Sequence, residues 1–130
     1  MIEPKHIQNL RRRLIADRGY LLFLALFERD EAPGTWDLLI SGGGLRSNTL
    51  ADYEYVGRLL NETLTLDEML ELTKFVVLRE DYEPIQKLLK RVHVEDDEPV
   101  ELENFRFYEF LIRRALIFHA APAEVGAEKA

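Results

Sequence analysis

The sequence predicts one α/β (or α+β) domain built on a mixed sheet of about four strands, with a β-hairpin and with helices covering both faces. Three observations lead to this prediction. Two short apolar runs, residues 21–27 and 75–78, lack polar alternation and are typical of strands buried on both faces. A Pro-Gly pair separates the first run from a second strand-like segment. Stretches with helical apolar spacing lie before, between and after the strands.

The length of the chain indicates a single domain. A chain of 130 residues can bury a core without disulfides, and no internal repeat or change of composition suggests a boundary. We expect residues 1–121 to form this domain. Residues 122–130 are small and polar, and we expect them to be a flexible tail.

The first predicted element is a helix over residues 5–18. Its apolar side chains recur on one face, and Gly19 is expected to end it because glycine accepts a left-handed conformation. Three consecutive arginines, residues 11–13, lie mostly away from that face. We interpret them as solvated side chains and not as a nucleic-acid patch, because the whole chain is acidic.

Residues 20–44 are expected to organise the sheet as two antiparallel strands. In the first strand, Leu22, Leu24 and Leu26 would share one face. Pro33-Gly34 suits the central positions of a type II turn. The second strand, residues 36–40, carries Asp37 on one face, so we place it nearer the sheet edge.

Two helices are predicted to follow the hairpin. The first runs from about residue 50 to residue 62, with Thr49 and Asp52 as a capping pair. The second begins at Thr65, because Thr65-Leu66-Asp67-Glu68 matches the capping box in which a Thr and a Glu cap each other's backbone.

The remaining chain carries both strand and helix signals. The apolar run 75–78 predicts a strand covered on both faces, and Asp81 is expected to cap a helix that continues to residue 92. Pro99 and a run of acids indicate that residues 94–103 form a loop or a weak strand. Residues 105–118 fit either a helix or a strand, and we prefer a strand from 110 to 118.

Charge and composition exclude several classes of protein. The formal charge of −7 argues against nucleic-acid binding, which draws its affinity from neutralising phosphates. The absence of cysteine excludes disulfides and thiolate sites, and we expect a cytoplasmic location. No run is long enough to span a membrane, and no secretory signal is visible.

The glycine-rich loop at residues 41–48 is the sharpest candidate for a ligand site. It connects a predicted strand to a predicted helix, where glycines let the backbone approach a phosphate and the helix N-terminus attracts anions. The loop lacks the lysine of a P-loop and the spacing of a dinucleotide fingerprint, so a flexible connection is the simpler interpretation. The candidate ligand-binding residues are Ser41, Gly42, Gly43, Gly44, Arg46, Ser47 and Asn48.

No catalytic, metal or cofactor motif is present. The three histidines are scattered, and none has a ligand partner four residues away. The acids at 95–98 do not match a calcium-binding loop. We therefore predict no metal, no cofactor and no catalytic residue.

The C-terminal part of the chain concentrates aromatic residues, which are enriched in protein interfaces. We expect some of these rings to contact a protein partner or a second copy of the chain. The candidate interface residues are Phe105, Phe107, Tyr108, Phe110 and Phe118.

Two functional hypotheses remain. The first is a small non-enzymatic domain that acts through protein–protein interaction. The second is a small-molecule or nucleotide-binding protein, which includes an enzyme, that uses the loop at 41–48.

Overall fold

A computed structural model describes residues 2–122 of the chain. The predicted tail therefore lies, apart from Pro122, outside the described residues. No helix in the described part is long and apolar enough to cross a bilayer. The elements are α1 (Pro4–Arg18), β1 (Phe23–Arg29), β2 (Trp36–Ser41), α2 (Leu50–Thr63), α3 (Leu66–Glu71), β3 (Leu72–Val77), α4 (Glu83–Leu89), β4 (Val100–Phe107) and β5 (Phe110–Ala120).

The strands form one five-stranded mixed sheet in the order β3-β2-β1-β5-β4. The central strand β1 pairs antiparallel with both β2 and β5. The outer strands differ, because β3 runs parallel to β2 and β4 runs antiparallel to β5. The parallel pair requires a crossover, which α2 and α3 supply. The structure confirms a single α/β domain with a mixed sheet and hairpins.

The fifth strand, β4, corrects the prediction of about four strands. It occupies residues 100–107, of which we expected 100–103 to belong to a loop or a weak strand. Pro99 lies just before the strand and removes no hydrogen bond from it. Within the described residues β4 pairs only with β5, so its exposed Glu101 and Glu103 are tolerated at a sheet edge.

Two apolar clusters lie against the two faces of the sheet. Leu24 and Leu26 of β1 pack in the first cluster with side chains of α1 and α2. Phe23, Ala25 and Phe27 alternate with them and belong to the second cluster, which also contains Ile85 and Leu88 of α4. Leu22 belongs to the second cluster as well, so the prediction that it shares a face with Leu24 is wrong. The regular alternation begins only at Phe23.

The prediction that the apolar run 75–78 is covered on both faces holds only in part: Phe75 and Val77 pack in the first cluster and Leu78 in the second, but the cover is incomplete. The strand β3 lies at a sheet edge and pairs with β2 alone within the described residues. Val77 is buried, but Phe75, Val76 and Leu78 are only half-buried. An edge strand has neighbours on one side only, which leaves part of each side chain open to solvent.

The ends of the helices show which of the predicted capping residues act as caps. Gly19 ends α1 in the left-handed conformation, and Thr65 and Glu68 form the predicted capping box at α3. Two other expectations are wrong. Thr49 makes no side-chain cap at α2, and Asp81 is ion-paired with Arg79 in place of capping α4.

Candidate functional site

The glycine-rich loop lies beside the segment after β3, at the carboxyl ends of strands β2 and β3. The strands β2 and β3 are parallel, so the segments that follow them emerge side by side. Open α/β sheets commonly bind ligands at the carboxyl ends of their strands. An open cavity of about 500 Å³ lies between them, lined by residues 44–48 and 79–81. The predicted Gly44, Arg46, Ser47 and Asn48 line it, whereas Ser41, Gly42 and Gly43 do not.

Two of the three glycines are required by packing. The φ angle of Gly42 is 119°, and a Cβ atom there would lie 2.4 Å from the backbone nitrogen of Leu22. A Cβ atom on Gly43 would lie 2.7 Å from Cβ of Arg18. The loop therefore packs directly against the segment that joins α1 to β1, and only glycine fits at these positions.

Carboxylates of the chain itself accept hydrogen bonds from two backbone N–H groups of the loop. The backbone N–H of Gly44 donates to Oε2 of Glu80 at 3.1 Å, and the hydroxyl of Tyr20 donates to the same oxygen. The backbone N–H of Arg46 donates to Oδ2 of the buried Asp52 at 2.7 Å. This hydrogen bond is the main reason that the pKa of Asp52 lies below its ordinary value. Negative charge thus already lies where a phosphate would bind.

A second and larger cavity, of about 750 Å³, lies between α4 and the end of β4, and we call it the α4–β4 groove. It combines basic and aromatic side chains and includes one acid, Glu83. The basic residues are Lys87, Lys90, Arg91 and Arg106, and the aromatic residues are Tyr82, Phe105, Phe107 and Tyr108.

The aromatic rings of the groove contact one another. The ring of Tyr82 lies 6.2 Å from that of Phe107 and 6.5 Å from that of Tyr108, between ring centroids. Burial raises the pKa of the Tyr82 phenol above its ordinary value, and Tyr108 and Glu109 raise it further. Tyr82 therefore stays a neutral hydrogen-bond donor at physiological pH.

The basic side chains of the groove are exposed and weakly paired. Lys87 lies 4.0 Å from Glu83, with both side chains in solvent. Arg106 donates to the backbone oxygen of Glu109 at 3.4 Å. Lys90 and Arg91 form no ion pair within the described residues. The groove is thus a positive region on a chain of formal charge −7.

The five candidate interface residues separate in the structure. Phe105, Phe107 and Tyr108 line the α4–β4 groove, and Phe110 lines a smaller neighbouring cavity. Phe118 is fully buried in the cluster with α1 and α2, so it is not accessible to a partner. The sequence did not indicate the four basic residues as a site, because Arg106 lies near residues 87–91 only in the folded chain.

Metal chemistry and similarity to known proteins offer no further guide. The described residues contain no group of three or more His, Asp or Glu side chains placed to hold a metal ion. Comparisons with protein-family models, curated proteins and solved structures find no significant match to this chain. The geometry of the described residues is therefore the basis for proposing a function.

Proposed function

We propose that this chain is a non-enzymatic binding module that holds an acidic segment of a partner protein in the α4–β4 groove. One observation carries the proposal: four basic side chains and four aromatic rings line one groove of an acidic chain. We further infer that α1 and α2 cover one face of the sheet and α4 covers part of the other, which leaves this groove open. We expect the module to act in the cytoplasm.

Charge complementarity favours an acidic ligand. The groove carries four positive side chains against one negative side chain, Glu83. Complementary potentials accelerate association and reject partners of the wrong charge. Lys90 and Arg91 have no ion-pair partner in the described part of the chain, so a ligand carboxylate would not have to displace one.

The exposed rings indicate that the ligand also carries apolar side chains. Tyr108 is 61% exposed and Phe105 is half-buried, and both face the groove. Aromatic residues and arginine dominate the binding energy of protein interfaces when a partner excludes water from them. An acidic segment with aromatic or aliphatic residues between its carboxylates would satisfy both features of the groove.

A nucleic acid is less suited to this groove than a protein segment. A polyanion extends beyond the groove and would meet the acidic remainder of the surface, since the formal charge is −7. Affinity for nucleic acids depends on many phosphate contacts at once. A short acidic peptide avoids this repulsion because it ends where the groove ends.

An unbiased peptide selection tests the proposal. A phage-displayed library of random peptides is selected on the immobilised full chain, with elution by excess free chain. We expect the recovered sequences to be enriched in Asp and Glu and to contain aromatic or aliphatic residues. Recovery of basic peptides, or no enrichment over an empty support, would contradict the proposal.

A second copy of the chain is another partner to be tested. The exposed acids at 95–98 could enter the groove of a symmetry-related copy, as in a two-fold homodimer. Sedimentation equilibrium over a micromolar range of concentrations decides this version. A monomer at every concentration would exclude the homodimer and leave the partner protein.

The cavity beside the glycine-rich loop supports a second candidate function, the binding of a small molecule. Its volume of about 500 Å³ and its place after two parallel strands suit a metabolite. The carboxylates of Glu80 and Asp81 line it together with the guanidinium groups of Arg46 and Arg79, so a metabolite with both hydrogen-bond donors and acceptors suits it. A thermal-shift screen of metabolites tests this candidate, and stabilisation that Arg46→Ala leaves unchanged would contradict it.

A further inference from the structure

The face of the sheet that carries α4 contains a third cavity, of about 210 Å³. The helix α4 has seven residues and is only about 10 Å long, whereas five strands span roughly 19 Å. The helix therefore leaves part of this face uncovered. Leu39 and Ile112 are buried residues that line the uncovered part, and the half-buried Val76 and Leu78 lie on the side of β3.

The size of this cavity suits a small ring compound. A dry apolar cavity of about 150 Å³ is known to admit benzene in another protein. The present cavity is larger and is lined mainly by apolar side chains, including the rings of Phe27, Phe107 and Phe110. A six-membered ring with a short side chain therefore fits the available space.

One end of the cavity is polar and includes a lysine without an ion-pair partner in the described part of the chain. Asp37 and Lys74 are register partners on the parallel strands β2 and β3, and both line the cavity with Arg29. Nε of Arg29 lies 2.7 Å from Oδ2 of Asp37, and the Arg29 guanidinium also contacts Glu31 at 3.0 Å.

The charge of Arg29 is thus balanced, whereas Lys74 forms no ion pair within the described residues. An incoming carboxylate can reach the Lys74 ammonium group without breaking an existing pair.

We propose that this cavity binds a small apolar carboxylic acid, with its ring or alkyl chain between Leu39, Val76 and Ile112 and its carboxylate at Lys74. The site is distinct from the glycine-rich loop, and it does not depend on the proposed partner protein. It shares the walls formed by Tyr82 and Phe107 with the α4–β4 groove.

Phenylacetate serves as the probe, with neutral 2-phenylethanol as its matched control. Titration of the full chain is followed by the methyl NMR signals of Leu39, Val76 and Ile112. We expect saturable shifts of these methyl groups with a Kd of about 1 mM or lower for the acid. The alcohol should bind about five-fold more weakly, since a solvent-exposed ion pair contributes little more than that factor.

Two variants separate the parts of the site. Lys74→Met keeps the aliphatic stem and should remove the preference for the acid, with no change for the alcohol. Val76→Phe should fill the cavity and abolish binding of both compounds, and an edge strand tolerates the aromatic residue. Lys5→Glu changes an exposed charge on α1, away from both cavities, and should leave both Kd values unchanged.

The proposal is overturned by several specific results. One is the absence of saturable methyl shifts in the wild-type chain up to about 10 mM phenylacetate, which is weaker than a well-formed small site provides. Another is an unchanged Kd for phenylacetate in Lys74→Met. A third is unchanged binding in a Val76→Phe variant whose spectrum shows a folded chain.

Discussion

The carboxylate of Glu80 accepts a hydrogen bond from the backbone N–H of Gly44 across 3.1 Å. This contact joins the segment after β3 to the glycine-rich loop after β2. It also places a negative charge at the point where a phosphate-binding loop would present a free donor. The loop resembles an anion site in composition, but its own chain provides the anion.

We therefore predict that phosphate compounds do not stabilise this chain. Addition of ATP, ADP or inorganic phosphate at about 1 mM should leave Tm unchanged, because the Glu80 carboxylate already occupies the Gly44 donor and a ligand whose Kd is far above its concentration stabilises very little. Differential scanning fluorimetry measures this directly. A reproducible rise of Tm that Glu80→Gln enhances would contradict the prediction and support the small-molecule candidate.

Substitutions at the glycines should distinguish packing from ligand binding. Gly42→Ala should destabilise the fold by roughly 3 kcal/mol, because its Cβ atom would collide with the Leu22 backbone at a left-handed φ. Gly44→Ala is the matched control, since its Cβ atom would meet open space. Gly44→Ala should therefore cost only about 1 kcal/mol, the cost of placing alanine in the left-handed conformation. Equal midpoints of urea unfolding for the two variants would refute this explanation of the loop.

The position of a strand in the sheet should determine the cost of truncating its side chains. Leu24 lies on the central strand and is fully buried, so Leu24→Ala should cost roughly 2–5 kcal/mol of unfolding free energy. Val76 lies on the edge strand β3 and is half-buried, so Val76→Ala should cost less than about 1 kcal/mol. Urea denaturation compares the two, and an equal loss would contradict the assignment of β3 to the edge.

Glu68 should make the stability depend on pH in the acid range. Burial alone would raise its pKa, but hydrogen bonds from the backbone N–H groups of Glu3 and Thr65 and from His6 outweigh burial and lower the pKa to about 2. The folded pKa lies below the unfolded value, so this stabilisation is present above about pH 5 and is lost as the pH falls towards 2.

The variant Glu68→Gln tests this dependence. The difference in unfolding free energy between wild type and variant should be roughly 3 kcal/mol at pH 6. It should shrink steadily between about pH 5 and pH 2, because the wild-type carboxylate becomes protonated there. A difference that stays constant over this range would show that the charge of Glu68 does not stabilise the fold.

Sequence reasoning succeeded where the determining residues are neighbours along the chain. The capping box of Thr65 and Glu68 lies within four residues, and its helix begins where predicted. Gly19 ends α1 for an equally local reason. The predicted capping roles of Asp52 and Asp81 were wrong. Arg46 and Arg79 form ion pairs with these two carboxylates, and neither carboxylate caps a helix.

Strand β4 and the α4–β4 groove were not predicted for a different reason. Residues 100–107 have a poor strand pattern and become β4 through pairing with β5, which follows the turn at Tyr108. The groove requires Lys90 and Arg106 to line the same cavity, although sixteen positions separate them in the sequence. Pattern and propensity describe each segment separately and do not report such tertiary encounters.

The affinity of one selected acidic peptide for two charge-reversal variants tests the central proposal most directly. Lys90→Glu reverses a charge inside the α4–β4 groove, and Lys5→Glu makes the same change on the exposed side of α1. Fluorescence anisotropy should show at least about ten-fold weaker binding for Lys90→Glu, because like charges replace opposite charges at the contact. Binding to Lys5→Glu should stay close to that of the wild type. Equal affinities for the two variants would contradict recognition of an acidic segment in this groove.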